Sequence, residues 1–340
     1  LWTAPGPEVP KPPQIEGPVL RQYDPALGWT LAPSLETRHH CPEYSVGYRT
    51  NAQGARASRD YATERAPGLA RIAAIGDSFV FGVGVEEEER FTDRLASLLG
   101  ETEVLNFGVP GYGTDQALLR FEREGTAYRP DVVLLGHLME HVVRNLTYQH
   151  RSPLADGQVR LDPTPRFELT RDGLELRTAS VPPPRTEPDS PAPAPWWTRS
   201  RLATWILFRL DALASRRQPF PDWKEGSEGA LLTQALVERF AQAARGAGAE
   251  PLVVVLGDRV YLDGRLASLA DRSPVNRFLD FCASRNIPTV DLLPAFDEAR
   301  KEGRSLFYSW DGHWTPDGHR VAAETLARFF RERGWPPERR

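Results

Sequence analysis

Residues 71–81 read R-I-A-A-I-G-D-S-F-V-F, and they open a regular alternation of short apolar runs and helical patterns. The apolar residues 72–75 end at Gly76, which predicts a short buried strand. Asp77 and Ser78 follow at once, in the turn that leads to the next element. The stretch therefore predicts a buried strand whose carboxyl end carries polar side chains.

Apolar runs of the same kind recur along the chain, with helical patterns between them. The further runs are residues 104–107, 132–135, 252–256 and 287–290. The helical stripes are residues 91–99, 114–128, 232–243, 278–282 and 322–330. Strands that are apolar on both faces are typical of a parallel sheet covered by helices on both sides. The alternation predicts an α/β fold, a doubly wound, flavodoxin-like parallel sheet in three α/β/α layers, with Thr114 as the N-cap of the second helix.

Proline-rich stretches divide the chain into three parts. Residues 1–21 are rich in proline and lack apolar periodicity, which predicts an extended arm or a linker. Residues 22–147 and 231–335 form the predicted α/β domain, in which residues 23–59 show no long periodic segment and the alternation begins at Arg71. Residues 148–230 interrupt it with proline runs and paired tryptophans, and we interpret them as an inserted cap.

The composition excludes several classes of protein. The chain has 340 residues and a formal net charge of −4, so it lacks the basic surface that binds nucleic acid. No run reaches the roughly 18 to 20 apolar residues that span a bilayer. Two cysteines exclude a disulfide scaffold, although a single pairing of Cys41 with Cys282 stays open. Because the chain begins at Leu1, a lost N-terminal membrane anchor is an open expectation; no oligomeric state is predicted.

Two distant segments carry residues that suit nucleophilic catalysis. Ser78 follows the first strand, and Asp311 and His313 precede the last helix, for which Thr315 and Pro316 provide an N-cap and a first residue. A serine needs an adjacent base to act as a nucleophile. Asp311 can hold one ring nitrogen of His313, which leaves the other nitrogen for the Ser78 hydroxyl.

A glycine-rich stretch follows the second strand. Residues 106–114 read N-F-G-V-P-G-Y-G-T, and glycines allow the backbone to approach a ligand closely. The free N–H of Gly111 could stabilise a developing oxyanion together with the N–H of Ser78. An ordinary turn is the alternative interpretation of this stretch.

Taken together, these motifs resemble the SGNH/GDSL superfamily of serine esterases and acyltransferases. Ser78, Gly111, Asp311 and His313 match its characteristic positions in the same order. The resemblance implies a serine hydrolase without a cofactor that cleaves O-acyl esters, with O-acetyl esters of a carbohydrate or another small molecule as the expected substrate. Some members with a similar upstream flank are exported or tethered to a membrane.

Two departures from the family pattern bear on function. The Asp-x-His spacing resembles that of a branch with polysaccharide O-acetyltransferases, so an O-acetyltransferase that uses the same triad is the first alternative. The family's asparagine after the third strand is absent, and His141 stands near its place, with Asn145 as a second candidate for the oxyanion site. A non-catalytic binding module with a degenerate site is the second alternative.

The same segment contains a rival motif. His137, Glu140 and His141 match the H-x-x-E-H pattern of one class of zinc peptidases, which requires both histidines on one helix. His137 directly follows the predicted third strand, so the two histidines are not expected to share a helix. The sequence therefore predicts no metal site.

Overall fold

The computed structural model describes residues 14–154, 158–178, 180–188, 223–262 and 272–335. Its strands are β1 (Gln14–Glu16), β2 (Arg21–Asp24), β3 (Gly28–Leu31), β4 (Glu36–Cys41), β5 (Tyr44–Arg49), β6 (Ala70–Ile75), β7 (Thr102–Asn106), β8 (Val132–His137), β9 (Gln149–Pro153), β10 (Gln158–Pro163), β11 (Phe167–Thr170), β12 (Gly173–Leu176), β13 (Arg185–Pro188), β14 (Glu250–Val255) and β15 (Thr289–Asp291). Its helices are α1 (Ser78–Phe81), α2 (Phe91–Leu99), α3 (Thr114–Arg123), α4 (His141–Leu146), α5 (Glu228–Gly246), α6 (Arg259–Leu262), α7 (Ser273–Ser284), α8 (Leu293–Lys301) and α9 (Pro316–Glu332).

A five-stranded parallel sheet forms the centre of the molecule. Its strand order is β15-β14-β8-β6-β7, and every pairing in it is parallel. The chain leaves β6 for β7 on one side and then crosses to β8 on the other. This is the flavodoxin-like order, with a switch point between β6 and β8 where ligands bind beyond the carboxyl ends of the strands. The predicted fold class is confirmed.

Helices cover both faces of this sheet. One layer contains α2, α8 and α9, and the other contains α3, α4 and α5. An ion pair between Arg285 and Glu238 connects α7 to α5. Every residue of β6 and β8 is buried, as the all-apolar runs predicted. The sheet and the two helix layers enclose one continuous hydrophobic core.

The start of α3 differs from the sequence prediction. Thr114 is the first helical residue, and Gly113 is the N-cap. The Thr114 hydroxyl does not cap the helix because it lies against the rings of His137 and His141, at 3.3 and 3.4 Å. The predicted helix also ends early, at Arg123, and Tyr128 belongs to a separate 3-10 turn.

Short antiparallel strands precede the central sheet. β1, β4 and β5 form one small sheet, and β2 pairs with β3. Arg56 joins this region to the core, since its buried guanidinium donates to the carbonyl oxygens of Phe81 and Val85, at 3.0 and 2.5 Å. The N-terminal strands are therefore packed directly onto the segment that follows α1.

The segment interpreted as a cap is described in part. Within residues 148–188, β9, β10 and β13 form a three-stranded sheet and β11 pairs with β12. The paired tryptophans and the proline run after position 190 lie outside the described residues, as do residues 1–13 of the predicted arm. Cys41 and Cys282 are both free thiols. Among the helices described, none has the length and apolar character that a membrane span requires.

Candidate active site

The turn after β6 brings Ser78 to the carboxyl edge of the sheet. Gly76 has a φ of 154°, and a Cβ there would lie 2.6 Å from the Val80 side chain and 3.1 Å from the Gly136 carbonyl oxygen. The site therefore requires glycine. Asp77 caps α1 by accepting the Phe79 N–H at 3.0 Å. As a result, Ser78 is the first residue of a helix that begins immediately beyond the strand.

The structure brings Ser78, His313 and Asp311 together. The distance between Ser78 Oγ and His313 Nε2 is 2.8 Å, and His313 Nδ1 lies 2.8 Å from Asp311 Oδ2. With Nδ1 protonated, His313 donates to Asp311 and accepts the Ser78 hydroxyl proton through Nε2. The side chains of His313 and Asp311 are 23% and 13% exposed, so both are mostly buried but remain accessible from the solvent. This is the geometry of a nucleophile, a base and an orienting carboxylate.

The loop that carries His313 is fixed by its neighbours. Thr315 caps α9 by accepting the Gly318 N–H at 3.3 Å, and Pro316 begins that helix, as predicted. Trp314 is fully buried, and its ring N–H donates to the Gly257 carbonyl oxygen at 2.9 Å. Because Trp314 and Thr315 are both held in place, the orientation of the His313 ring toward Ser78 is fixed.

Asp311 is held in its ionised form. Burial by itself would raise the pKa of Asp311, but hydrogen bonds from His313 and Tyr44 outweigh it, and the pKa lies below its usual value. A carboxylate that stays ionised can orient the imidazole and stabilise its protonated form.

Gly111 lies in the turn between β7 and α3. Its φ of 87° is in the left-handed region, and a Cβ there would lie 3.1 Å from the Arg21 guanidinium and 3.3 Å from the Trp29 ring. Within the described part of the chain, neither the N–H of Gly111 nor that of Ser78 has a hydrogen-bond partner. Both groups are thus free to act as donors.

A buried polar network lies behind the turn that carries Ser78. Asp77 Oδ2 accepts from His141 Nε2 at 3.2 Å and from Arg144 Nη1 at 3.1 Å. Burial by itself would raise the pKa of Asp77, but the hydrogen bond from His141 and the charges of His141 and Arg144 lower it to about 2. Sequence reasoning missed this role of Arg144. Its signal was the spacing of His141, Arg144 and Asn145 on one face of α4.

A comparison with protein families identifies part of the chain. Residues 222–339 match the family described as "SGNH hydrolase-like domain, acetyltransferase AlgX". The matched stretch contains Asp311 and His313, while Ser78 and Gly111 lie upstream of it on the same sheet edge. This stretch is therefore similar to an SGNH hydrolase-like domain. The flavodoxin-like strand order of the sheet agrees with that similarity.

Individual relatives are distant. A probable alginate O-acetylase AlgJ of Pseudomonas fluorescens is 31% identical over 104 residues, which cover 29% of this chain and 26% of the relative. The chain thus spans about a quarter of that relative's length. A lipolytic G-D-S-L family protein from Veillonella parvula has 12% identity and a TM-score of 0.45, covering 77% of this chain and 99% of that one. An acetyl xylan esterase from Geobacillus stearothermophilus has 15% identity and a TM-score of 0.43, covering 80% and 100%.

The side chains of His141 and Asn145, the two expected oxyanion candidates, have protein partners in the structure. His141 gives its Nε2–H to Asp77, and Asn145 accepts the Thr114 N–H at 3.0 Å while donating to the Thr233 hydroxyl at 2.9 Å. Both side chains are buried, and the ring Nε2–H of His141 is already donated to Asp77. His141 thereby fixes Asp77, the residue that precedes Ser78.

The zinc-peptidase motif is not assembled in this fold. His137 is the last residue of β8, whereas His141 begins α4, so the two histidines do not share a helix. The His137 ring is stacked on Phe278, with ring centroids 4.5 Å apart, and burial lowers its pKa well below the usual value. Glu140 pairs with Arg144 at 3.3 Å. In the described ranges, no three potential ligand side chains are grouped closely enough to hold a metal ion.

Proposed function

We propose that this protein is a serine enzyme that removes O-acyl groups, and O-acetyl groups in particular, from a carbohydrate or another small ester. The observation that carries the proposal is the continuous contact from Ser78 Oγ through His313 to Asp311, at 2.8 Å in each step. A non-catalytic binding module with a degenerate site would not require this arrangement.

The first half of the proposed reaction forms an acyl-enzyme. Ser78 Oγ attacks the ester carbonyl carbon while its proton passes to His313 Nε2. The carbonyl oxygen becomes an oxyanion, and the N–H groups of Ser78 and Gly111 are its proposed donors. The C–O bond to the alcohol then breaks, and His313 returns the proton to the leaving oxygen. The acyl group is now an ester of Ser78.

The second half releases the acyl group. A water molecule gives its proton to His313 Nε2 and attacks the acyl carbon, and Ser78 leaves as the alcohol with that proton. Asp311 stays ionised throughout, since it stabilises the imidazolium at both stages. All steps use side chains and backbone groups of this chain.

Transfer to a sugar hydroxyl is the second candidate function. It is favoured by the match of residues 222–339 to a family described by an acetyltransferase, and by the partial similarity to a probable alginate O-acetylase. In this reaction a hydroxyl of a glycan replaces water in the second half. Mass analysis of the products, with an acetyl donor and a glycan acceptor present, separates the two: an acetylated glycan indicates transfer, and free acetate alone indicates hydrolysis.

The proposal is tested by Ser78→Ala with p-nitrophenyl acetate as substrate. Turnover is expected to fall by several orders of magnitude, up to about 10⁶ if the three side chains act as a unit. Ser97→Ala is the matched control, because Ser97 is an exposed serine on α2 whose hydroxyl donates to the Asp93 carbonyl oxygen at 3.0 Å. Wild-type turnover in Ser78→Ala would exclude the proposed nucleophile.

A further inference from the structure

The turn between β4 and β5 lies against the loop that carries Asp311. Glu43 accepts three consecutive backbone N–H groups of that loop, from Ser309 at 2.6 Å, Trp310 at 2.8 Å and Asp311 at 3.2 Å. Hydrogen bonds from backbone N–H groups to a carboxylate are among the strong ones in proteins. A residue near the N-terminus therefore anchors a loop that is more than 260 positions away.

The next residue, Tyr44, contacts Asp311 itself. Its side chain is buried, and its hydroxyl donates to Asp311 Oδ2 at 3.0 Å. Its ring packs on the ring of Tyr308, with centroids 4.9 Å apart, and the Tyr308 N–H donates to the His313 carbonyl oxygen at 2.9 Å. Burial, followed by the charge of Asp311, raises the pKa of Tyr44, so the phenol remains a donor throughout the working range of pH.

We propose that Tyr44 is a positioning residue for the triad, which acts by donating to the same Asp311 oxygen that accepts from His313. This inference rests on the proposed function of Ser78, His313 and Asp311. Tyr44 does not contact the Ser78 hydroxyl, and its effect on the reaction passes through the carboxylate. The hairpin β4–β5 thereby becomes part of the site, although the family match does not reach it.

Sharing one carboxylate oxygen between two donors has a definite electrostatic effect. The bond from Tyr44 withdraws negative charge from Asp311 Oδ2, which weakens the attraction of that oxygen for a protonated His313 ring. Without Tyr44, Asp311 Oδ2 attracts the imidazolium more strongly, so the acidic limb of the activity profile should move to higher pH. Among the described residues, the other titratable and charged groups close to Tyr44, Asp311 and His313 are His39, whose Nδ1 lies 3.4 Å from the Tyr44 hydroxyl, and Cys41, Glu43, Tyr48, Tyr308 and His319.

The test is the pH profile of kcat/KM for ester hydrolysis in Tyr44→Phe. We expect the midpoint of the acidic limb to rise by about 0.5 pH units. At pH values below that midpoint, kcat/KM is then about threefold lower than in the wild type. On the pH-independent plateau, kcat is expected to fall by about tenfold or less. Tyr308→Phe is the matched control, because its hydroxyl donates to the Gly84 carbonyl oxygen at 2.8 Å and not to Asp311. This variant is expected to keep the wild-type midpoint. A loss of thermal stability in Tyr44→Phe with no movement of the limb would overturn the proposal.

A second readout does not depend on activity. In the proton NMR spectrum, the downfield signal of His313 Nδ1–H is expected to move further downfield in Tyr44→Phe, because Asp311 Oδ2 becomes a stronger acceptor. An unchanged signal would also overturn the proposal. If the wild-type protein hydrolyses no ester and Ser78→Ala changes nothing, the proposed function fails, and the NMR shift alone still decides the role of Tyr44.

Discussion

At the scale of single residues, Gly111 shows how the site depends on backbone geometry. Its φ of 87° lies in the left-handed region, and a Cβ there would be in close contact with the ends of the Arg21 and Trp29 side chains, at 3.1 and 3.3 Å. The N–H of this residue is proposed to bind the oxyanion, and its direction follows from that backbone conformation. Catalysis should therefore be more sensitive than stability to a change at this position.

Gly111→Ala tests this dependence. A non-glycine residue in the left-handed region costs about 1–2 kcal/mol, so the free energy of unfolding should fall by that amount. Loss of one oxyanion donor should lower kcat by about 10²-fold or more. Gly68→Ala is the control, since Gly68 has a φ of 85° with open space around it. It should show the same loss of stability with wild-type kcat, and a similar kcat in the two variants would contradict the assignment of Gly111.

Residues of the site differ in how far the sequence could reveal them. Ser78, Asp311 and His313 were predicted because each stands beside a local signal, a strand end or a helix cap. The contacts of His141 were not predicted, because its position after β8 does not determine its ring direction, which follows from the buried partners Asp77 and Thr114.

At the scale of elements, Asp77 joins α1 to α4. It caps α1 and accepts hydrogen bonds from both His141 and Arg144. One fully buried carboxylate therefore holds the turn that carries Ser78 against α4. The removal of one partner from a buried ionic group leaves the other partners without compensation. The network is therefore expected to contribute to folding as well as to the placement of Ser78.

Asp77→Asn is expected to lower the free energy of unfolding by about 3–5 kcal/mol at neutral pH. Because folding lowers the pKa of Asp77 from 3.8 to about 2, its stabilisation is present above about pH 4 and is lost as the pH falls toward 2. The difference between the wild type and the variant should shrink over the same range. Urea unfolding at several pH values measures this difference. Asp297→Asn is the control, because the Asp297 side chain is 33% exposed and its substitution should change stability by about 0.5 kcal/mol or less. A pH-independent difference would argue against an ionised Asp77.

The contact between the β4–β5 turn and the loop of Asp311 could not be predicted from the sequence. Local patterns reveal strands and helices because apolar periodicity and caps act within a few residues. Glu43 and Asp311 are 268 positions apart, and nothing in the local sequence of either segment specifies the other. The region around Tyr44 also lacks a long periodic segment, so its strands were not predicted.

At the scale of the whole molecule, the N-terminal strands and the α/β core form one packed unit. Arg56 is 1% exposed and donates to backbone carbonyl groups after α1, while Arg120 donates to the carbonyl oxygens of Phe107 and Gly54, at 3.1 and 2.8 Å. Burial and the charge of Arg90 lower the pKa of Arg56 to about 9. These buried guanidinium groups supply donors to carbonyl groups that have lost their contact with water.

Arg56→Met should lower the free energy of unfolding by about 3 kcal/mol or more, because several buried carbonyl groups lose their donor. Arg59→Met is the control, three positions away. It removes a side chain that is 62% exposed and should change the free energy of unfolding by about 0.5 kcal/mol or less. Denaturant unfolding of the two variants measures both. Equal stability of the two variants would mean that the N-terminal strands are not coupled to the core through Arg56.

The central claim is that Ser78 is a nucleophile activated by His313 and Asp311. The most direct measurement is the reaction of the native protein with a fluorophosphonate, followed by mass-spectrometric location of the adduct. We predict one adduct, on the peptide that contains Ser78, which is absent after heat unfolding and strongly slowed in His313→Ala. An adduct on another residue, or no adduct on the folded protein, would contradict the account.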